Sequence, residues 1–187
     1  MREQTPGVRP PPPVVVVPGL GGSDERHWQS RWQASLPGAT RFRPCSWDAP
    51  RHDDWRRALR AAVAACPAPP VLVAHSLGCF AAAELVLTAP STVAAALLVA
   101  PPDPDAPAFP LEIASFRPLR RERLGVRAVL VGSRDDPYGS AAFIRALAAD
   151  WHARPVDAGA LGHINSDSRI GDWPAGRALL DDLLAAR

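Results

Sequence analysis

The chain of 187 residues contains no lysine: all 21 of its basic residues are arginine. Nineteen acidic residues offset them to a formal net charge of +2. That is too small to mark a nucleic-acid binder, and no basic stripe appears beyond residues 117–123. Cysteine is scarce. Cys45, Cys66 and Cys79 are odd in number and widely spaced, so they offer no C-x-x-C, no disulfide framework and no metal cluster, and a reducing cytoplasm is the expected setting. Long apolar runs are missing too; Val14-Val15-Val16-Val17 is far too short to span a bilayer, and no targeting signal precedes it. Neither G-x-x-x-x-G-K-[ST] nor G-x-G-x-x-G occurs, and there is no internal repeat. No cofactor, metal, nucleic acid or membrane is therefore expected as a partner.

What is present describes one ordinary globular domain. The hydrophobic fraction is 47%, and the length suffices for a single sizeable core. Residues 1–13, with four consecutive prolines at 10–13, read as a flexible or polyproline-like tail ahead of a domain over 14–187. From Val14 onward, short β-branched or continuous apolar runs alternate with helical patterns. Strands are expected at 14–17, 41–45, 71–74, 93–100, 128–131 and 154–156. Helices are expected after Ser23 or Asp24 as N-cap, over 55–65 behind Asp53 or Asp54, after Ser76, over 141–150 and over 174–185. This alternation predicts an α/β fold, a mostly parallel sheet flanked by helices on both faces. Residues 101–123 read as irregular, either a short lid or a surface loop.

One stretch organises the rest. In Val71-Leu72-Val73-Ala74-His75-Ser76-Leu77-Gly78 an apolar strand ends abruptly and a helix-forming run begins at once. A serine at such an apex, with small residues two before and two after it, matches the nucleophile elbow G-x-S-x-G, with Ala74 in place of the first glycine. A hydroxyl needs a base to become a nucleophile, and the base needs a carboxylate to fix its tautomer. His163 and Asp136 each follow a later predicted strand, in the order Ser, Asp, His. Each has a plainer reading alone: a turn serine, a turn-starting aspartate, a loop histidine. Their joint order favours catalysis. Asp136 is preferred over Asp135 because the residue before Pro137 is pushed toward an extended conformation. Asp157 and Asp167 do not closely follow that strand, and His75 is expected to pack or bond locally. Cys79 reads as a small buried thiol, and most of the six tryptophans as core. For the oxyanion, the N–H of Leu77 is one expected donor and that of Leu20, in the loop Gly19-Leu20-Gly21, the other.

With these residues assembled, the chain resembles the small serine α/β-hydrolases related to retinoblastoma-binding protein nine and their bacterial relatives. The matching pieces include Val-Pro-Gly-Leu-Gly-Gly-Ser at 17–23, Trp28-Gln29, Ala-His-Ser-Leu-Gly-Cys at 74–79, Ser-Arg-Asp-Asp-Pro-Tyr at 133–138 and Gly-His-Ile-Asn at 162–165. The resemblance implies a compact α/β-hydrolase fold with little or no cap and a triad of Ser76, Asp136 and His163. It also implies a carboxylesterase-like activity on a small ester, with thioester or amide as variants. A non-catalytic interaction module on the same scaffold is the alternative.

Overall fold

The structure, a computed structural model, describes residues 10–185. Most of the proline-rich tail expected at the start, residues 1–9, lies outside the described residues. Six strands form one sheet: β1 (Val14–Val17), β2 (Thr40–Arg41), β3 (Val71–His75), β4 (Ala95–Val99), β5 (Arg127–Gly132) and β6 (Arg154–Asp157). Their order is β2-β1-β3-β4-β5-β6, and every pairing is parallel. Five helices cross between them or close the chain: α1 (Trp28–Ser35), α2 (His52–Ala64), α3 (Gly78–Thr88), α4 (Ala141–Trp151) and α5 (Pro174–Ala185).

Why the strands read as unbroken apolar runs is visible in the packing. Successive strand side chains point to opposite faces, and both faces here are covered by helices. Val15, Val17, Leu72, Ala74, Leu98 and Leu130 belong to one core with residues of α2, α3, α4 and the 109–124 segment. Val14, Val16, Val71, Val73, Leu97 and Val129 face the other way, against Trp28 and Trp32 of α1, Trp173, and Leu180 and Leu183 of α5. In β1, β3 and β4 the two cores leave no position for a polar side chain until the carboxyl ends, where ligands of such sheets bind.

Several boundaries differ from those read in the sequence. Helix α1 begins at Trp28 with His27 as its cap, not at Ser23 or Asp24. Asp24 instead accepts from the N–H groups of Arg26 and His27 in the preceding turn, and the Ser23 hydroxyl is drawn to Gln29. Helix α2 starts at His52, so Asp53 and Asp54 lie inside its first turn, and Asp54 accepts from the Cys45 N–H. The second strand is only two residues long. Within 101–123 a 3-10 turn, Leu111–Phe116, places Ile113 and Phe116 in the core.

Candidate active site

Strand β3 is one of the two central strands of the sheet and delivers Ser76 to its carboxyl edge. The chain must reverse from strand into α3 within two residues, and Ser76 takes φ = +54°, a left-handed value that costs a non-glycine residue energy. Close neighbours enforce the turn. A Cβ on Gly78 would stand 2.1 Å from the Val17 carbonyl oxygen, and one on Gly19 would stand 2.8 Å from the Cβ of Ser76. The small residue two positions after the serine is thus required by the contact between α3 and the end of β1.

His163 approaches from the loop after β6. Its Nε2 lies 2.9 Å from Ser76 Oγ, and its Nδ1 lies 3.0 Å from each carboxylate oxygen of Asp136. The Asp136 side chain is 1% exposed and that of His163 12%. A buried carboxylate facing Nδ1 favours the tautomer with its proton on Nδ1, which leaves Nε2 as an acceptor facing the Ser76 hydroxyl. Asp136 Oδ1 also accepts from the Tyr138 N–H, and the Tyr138 ring stands edge-on to His163 at 4.7 Å.

The neighbouring Asp135 serves the loop. It accepts from the Ser133 hydroxyl and from the Gly162 N–H, both bonds holding its carboxyl below the ordinary range, with the Ser133 bond the larger cause. Asp157 pairs with Arg134, and Asp167 is exposed at the rim. Cys79 is fully buried, and burial raises its thiol far above the usual range, which keeps it a protonated packing group.

His75 packs, one of the two expectations for it, but its hydrogen bond is not local. Its Nε2 lies 2.9 Å from the carbonyl oxygen of His163, 88 residues away, so it donates an N–H to the His163 loop. Burial, and after it the nearby His27 and His163, hold its pKa well below the ordinary histidine value, so it stays neutral. His27 packs edge-on against it, with ring centroids 4.8 Å apart. His27 Nδ1 accepts from the Gln29 N–H, and burial lowers its pKa to about 4.

Around Ser76 opens a cleft of about 350 Å³. Leu20, Pro102, Pro110 and Ile113 give it an apolar wall, while Asp24, Asn165, Ser166 and Asp167 form a polar rim. None of the six tryptophans lines it. Trp28, Trp32, Trp55, Trp151 and Trp173 are buried in the two cores, and Trp47 packs partly buried under Gly22. The loop carrying Leu20 is shaped by Gly21 and Gly22, both at left-handed φ, and by the Gly21 N–H donating to the Trp47 carbonyl. Among the described residues no cluster of three or more His, Cys, Asp or Glu is placed to hold a metal ion, and no helix is long and apolar enough to cross a membrane.

A parallel sheet covered by helices, with a serine lifted on a strained strand-to-helix turn, is the architecture of an α/β-hydrolase. The profile of the Serine hydrolase family matches residues 14–182, and the chain belongs to that family of serine hydrolase enzymes. A YdeN-like hydrolase from Pectobacterium atrosepticum is similar at 32% identity, with 91% of this chain and 89% of that one covered and a TM-score of 0.82. The ydeN gene product of B. subtilis shares the fold at 19% identity, with coverage of 94% and 100% and a TM-score of 0.81. A monoacylglycerol lipase from Paleococcus ferrophilus shares it at 14% identity, with coverage of 94% and 96% and a TM-score of 0.68. No curated protein matches the chain in sequence.

Signals for Ser76, Asp136 and His163 were present in the sequence. His75 and Tyr138 adjoin Ser76 and Asp136 in the chain, and Gln29 is among the pieces that carry the resemblance, but no local pattern marked the bonds of His75 to the His163 carbonyl or of Gln29 to Val17 and Val73.

Proposed function

We propose that the protein hydrolyses a small carboxylic ester through an acyl-enzyme, with Ser76 as nucleophile, His163 as general base and acid, and Asp136 as the residue that orients His163. The observation that carries this reading is the unbroken line of contacts from Ser76 Oγ to His163 Nε2 at 2.9 Å and from Nδ1 to Asp136 at 3.0 Å. Ser76 Oγ attacks the carbonyl carbon while its proton passes to His163 Nε2. The imidazolium so formed faces the Asp136 carboxylate, which lowers its energy. The developing oxyanion is taken by the N–H groups of Leu20 and Leu77. Support for that pair comes from the closeness of Gly19 to Ser76 and Leu77, and loss of one such donor costs ~100- to 1,000-fold in turnover. Collapse expels the alcohol, which takes the proton from His163. Water then repeats the sequence on the acyl-enzyme, restoring Ser76 and releasing the acid.

The small cleft and its apolar wall favour a short acyl group. Thioesters and amides present the same carbonyl to the same groups. A cytoplasmic setting fits three unpaired cysteines. A fluorophosphonate probe is expected to label the wild type and spare Ser76→Ala, and the wild type is expected to hydrolyse short p-nitrophenyl esters. No labelling and no hydrolysis, together with a tight protein partner, would replace this reading with that of an interaction module.

A further inference from the structure

Gln29 is a polar side chain with no exposed surface, carried by α1 between the buried Trp28 and Trp32 against an apolar sheet. Its Nε2 lies 2.9 Å from the Val73 carbonyl oxygen and 3.4 Å from that of Val17. Its Oε1 accepts from the Ser23 hydroxyl at 2.7 Å. The orientation of the amide follows from chemistry: carbonyl oxygens only accept, so the NH₂ group must face the two strands and the oxygen must face the serine. The backbone is held as well, since the Gln29 N–H donates to Nδ1 of the capping His27.

The three partners are not arbitrary. Val17 ends β1, and Leu20 follows it in the glycine loop. Val73 lies in β3, just ahead of the turn that carries Ser76 and Leu77. Ser23 closes the glycine loop at its far end. The two backbone N–H groups assigned to the oxyanion therefore hang from strands that one amide joins, and the loop bearing the first is tied to the same amide. The Val17 carbonyl is also the atom that a Cβ on Gly78 would strike, so it is set between the start of α3 and Gln29.

We infer that Gln29 is a positioning residue that fixes the separation of the Leu20 and Leu77 N–H donors, and so tunes stabilisation of the tetrahedral intermediate without touching substrate. The inference rests on the acyl-transfer reading above. An oxyanion hole must be set before reaction to be effective, and misplacement of its donors reduces turnover more than ground-state binding. Gln29→Leu keeps the volume and removes all three bonds.

The test compares wild type and Gln29→Leu in ester hydrolysis and in binding of a trifluoromethyl ketone, whose hemiketal carries the oxyanion. The expected result is a fall in kcat of roughly 10- to 100-fold, less than the loss of a whole donor. KM should stay within about threefold, and affinity for the ketone should fall in parallel with kcat/KM. A variant that loses thermal stability but keeps its kcat and its affinity for the ketone would overturn the inference and leave Gln29 as packing. Should Gln29→Leu not fold, Ser23→Ala cuts only the tie to the loop. It is expected to lower kcat and ketone affinity together, and unchanged values of both would equally overturn the inference. Fluorophosphonate labelling is read in the wild type, where Gln29 is intact, so its failure would strike the acyl-transfer reading and not this one.

Discussion

The turn that carries Ser76 and the loop that carries His163 reach the same point in space, but different forces hold them. The turn is set by volume. Gly19 and Gly78 admit close neighbours at the turn between β3 and α3, where a Cβ would collide. The loop, by contrast, is stitched by polar contacts. Gly162 N–H meets Asp135 at 2.8 Å, Leu161 N–H meets the Ser133 hydroxyl at 2.8 Å, and the Ile164 carbonyl accepts from Trp28 Nε1 at 2.8 Å. The His75 bond to the His163 carbonyl and the Ser166 bond to Asp24 complete the set. Steric specification is local, insensitive to pH, and fails abruptly. Polar specification is distributed, tolerates the loss of one member, and responds to protonation.

The most severe test of this contrast lies between adjacent aspartates. Asp136→Asn should lower kcat/KM on the order of 1,000- to 10,000-fold, because the base loses both its orientation and its counter-charge. Asp135→Asn removes one stitch among several and should cost far less; a reversed ranking in steady-state kinetics would reassign the acid.

Acid should loosen the polar side first. His27 has a folded pKa of about 4 against 6.5 unfolded, so the unfolded chain binds the proton more readily. The associated stability is complete above about pH 6.5 and is lost as pH falls through about 4, a change of roughly 3 kcal/mol. His75, shifted in the same direction, adds to it. Denaturant titrations from pH 7.5 to 4 should show this slope, and His27→Asn, which keeps a capping side chain, should flatten it.

Gly78→Ala probes the steric side. The added Cβ must push α3 from the Val17 carbonyl, and we expect a loss of about 2–3 kcal/mol in thermal or denaturant unfolding, nearly independent of pH. A variant with wild-type stability would mean that the elbow has slack. The smallest effect is expected of Trp28→Phe, which leaves the Ile164 carbonyl without its donor in a buried place. A stability loss of about 1–2 kcal/mol and a modest fall in kcat would fit one stitch among several.

The same division explains what could be read in the sequence. A glycine or alanine flanking Ser76, a strand before it and a helix after it are local features, so the elbow was legible. So were the parallel sheet, from its unbroken apolar strands, and the order of Ser76, Asp136 and His163 after separate strands. The start of α1 was misread because Ser23 and Asp24, both good caps, are used elsewhere: one by Gln29, the other by its own turn and Ser166. The bonds of Gln29 to Val73, 44 residues away, and of His75 to His163, 88 residues away, leave no local pattern. Tryptophans offered no guide to the cleft, since large aromatics serve the core first.

The tryptophans have another use. Trp28 stands 4.5 Å from Trp32 and 5.1 Å from Trp173, and Trp32 and Trp173 are stacked at 5.9 Å. Indoles this close share their excited states, so the trio absorbs and emits as a coupled set. One of them is bonded to the carbonyl of Ile164, next in the chain to His163. A shift of the His163 loop that moves the Ile164 carbonyl is therefore expected to alter the geometry of the trio, and near-ultraviolet circular dichroism is expected to report it without a label.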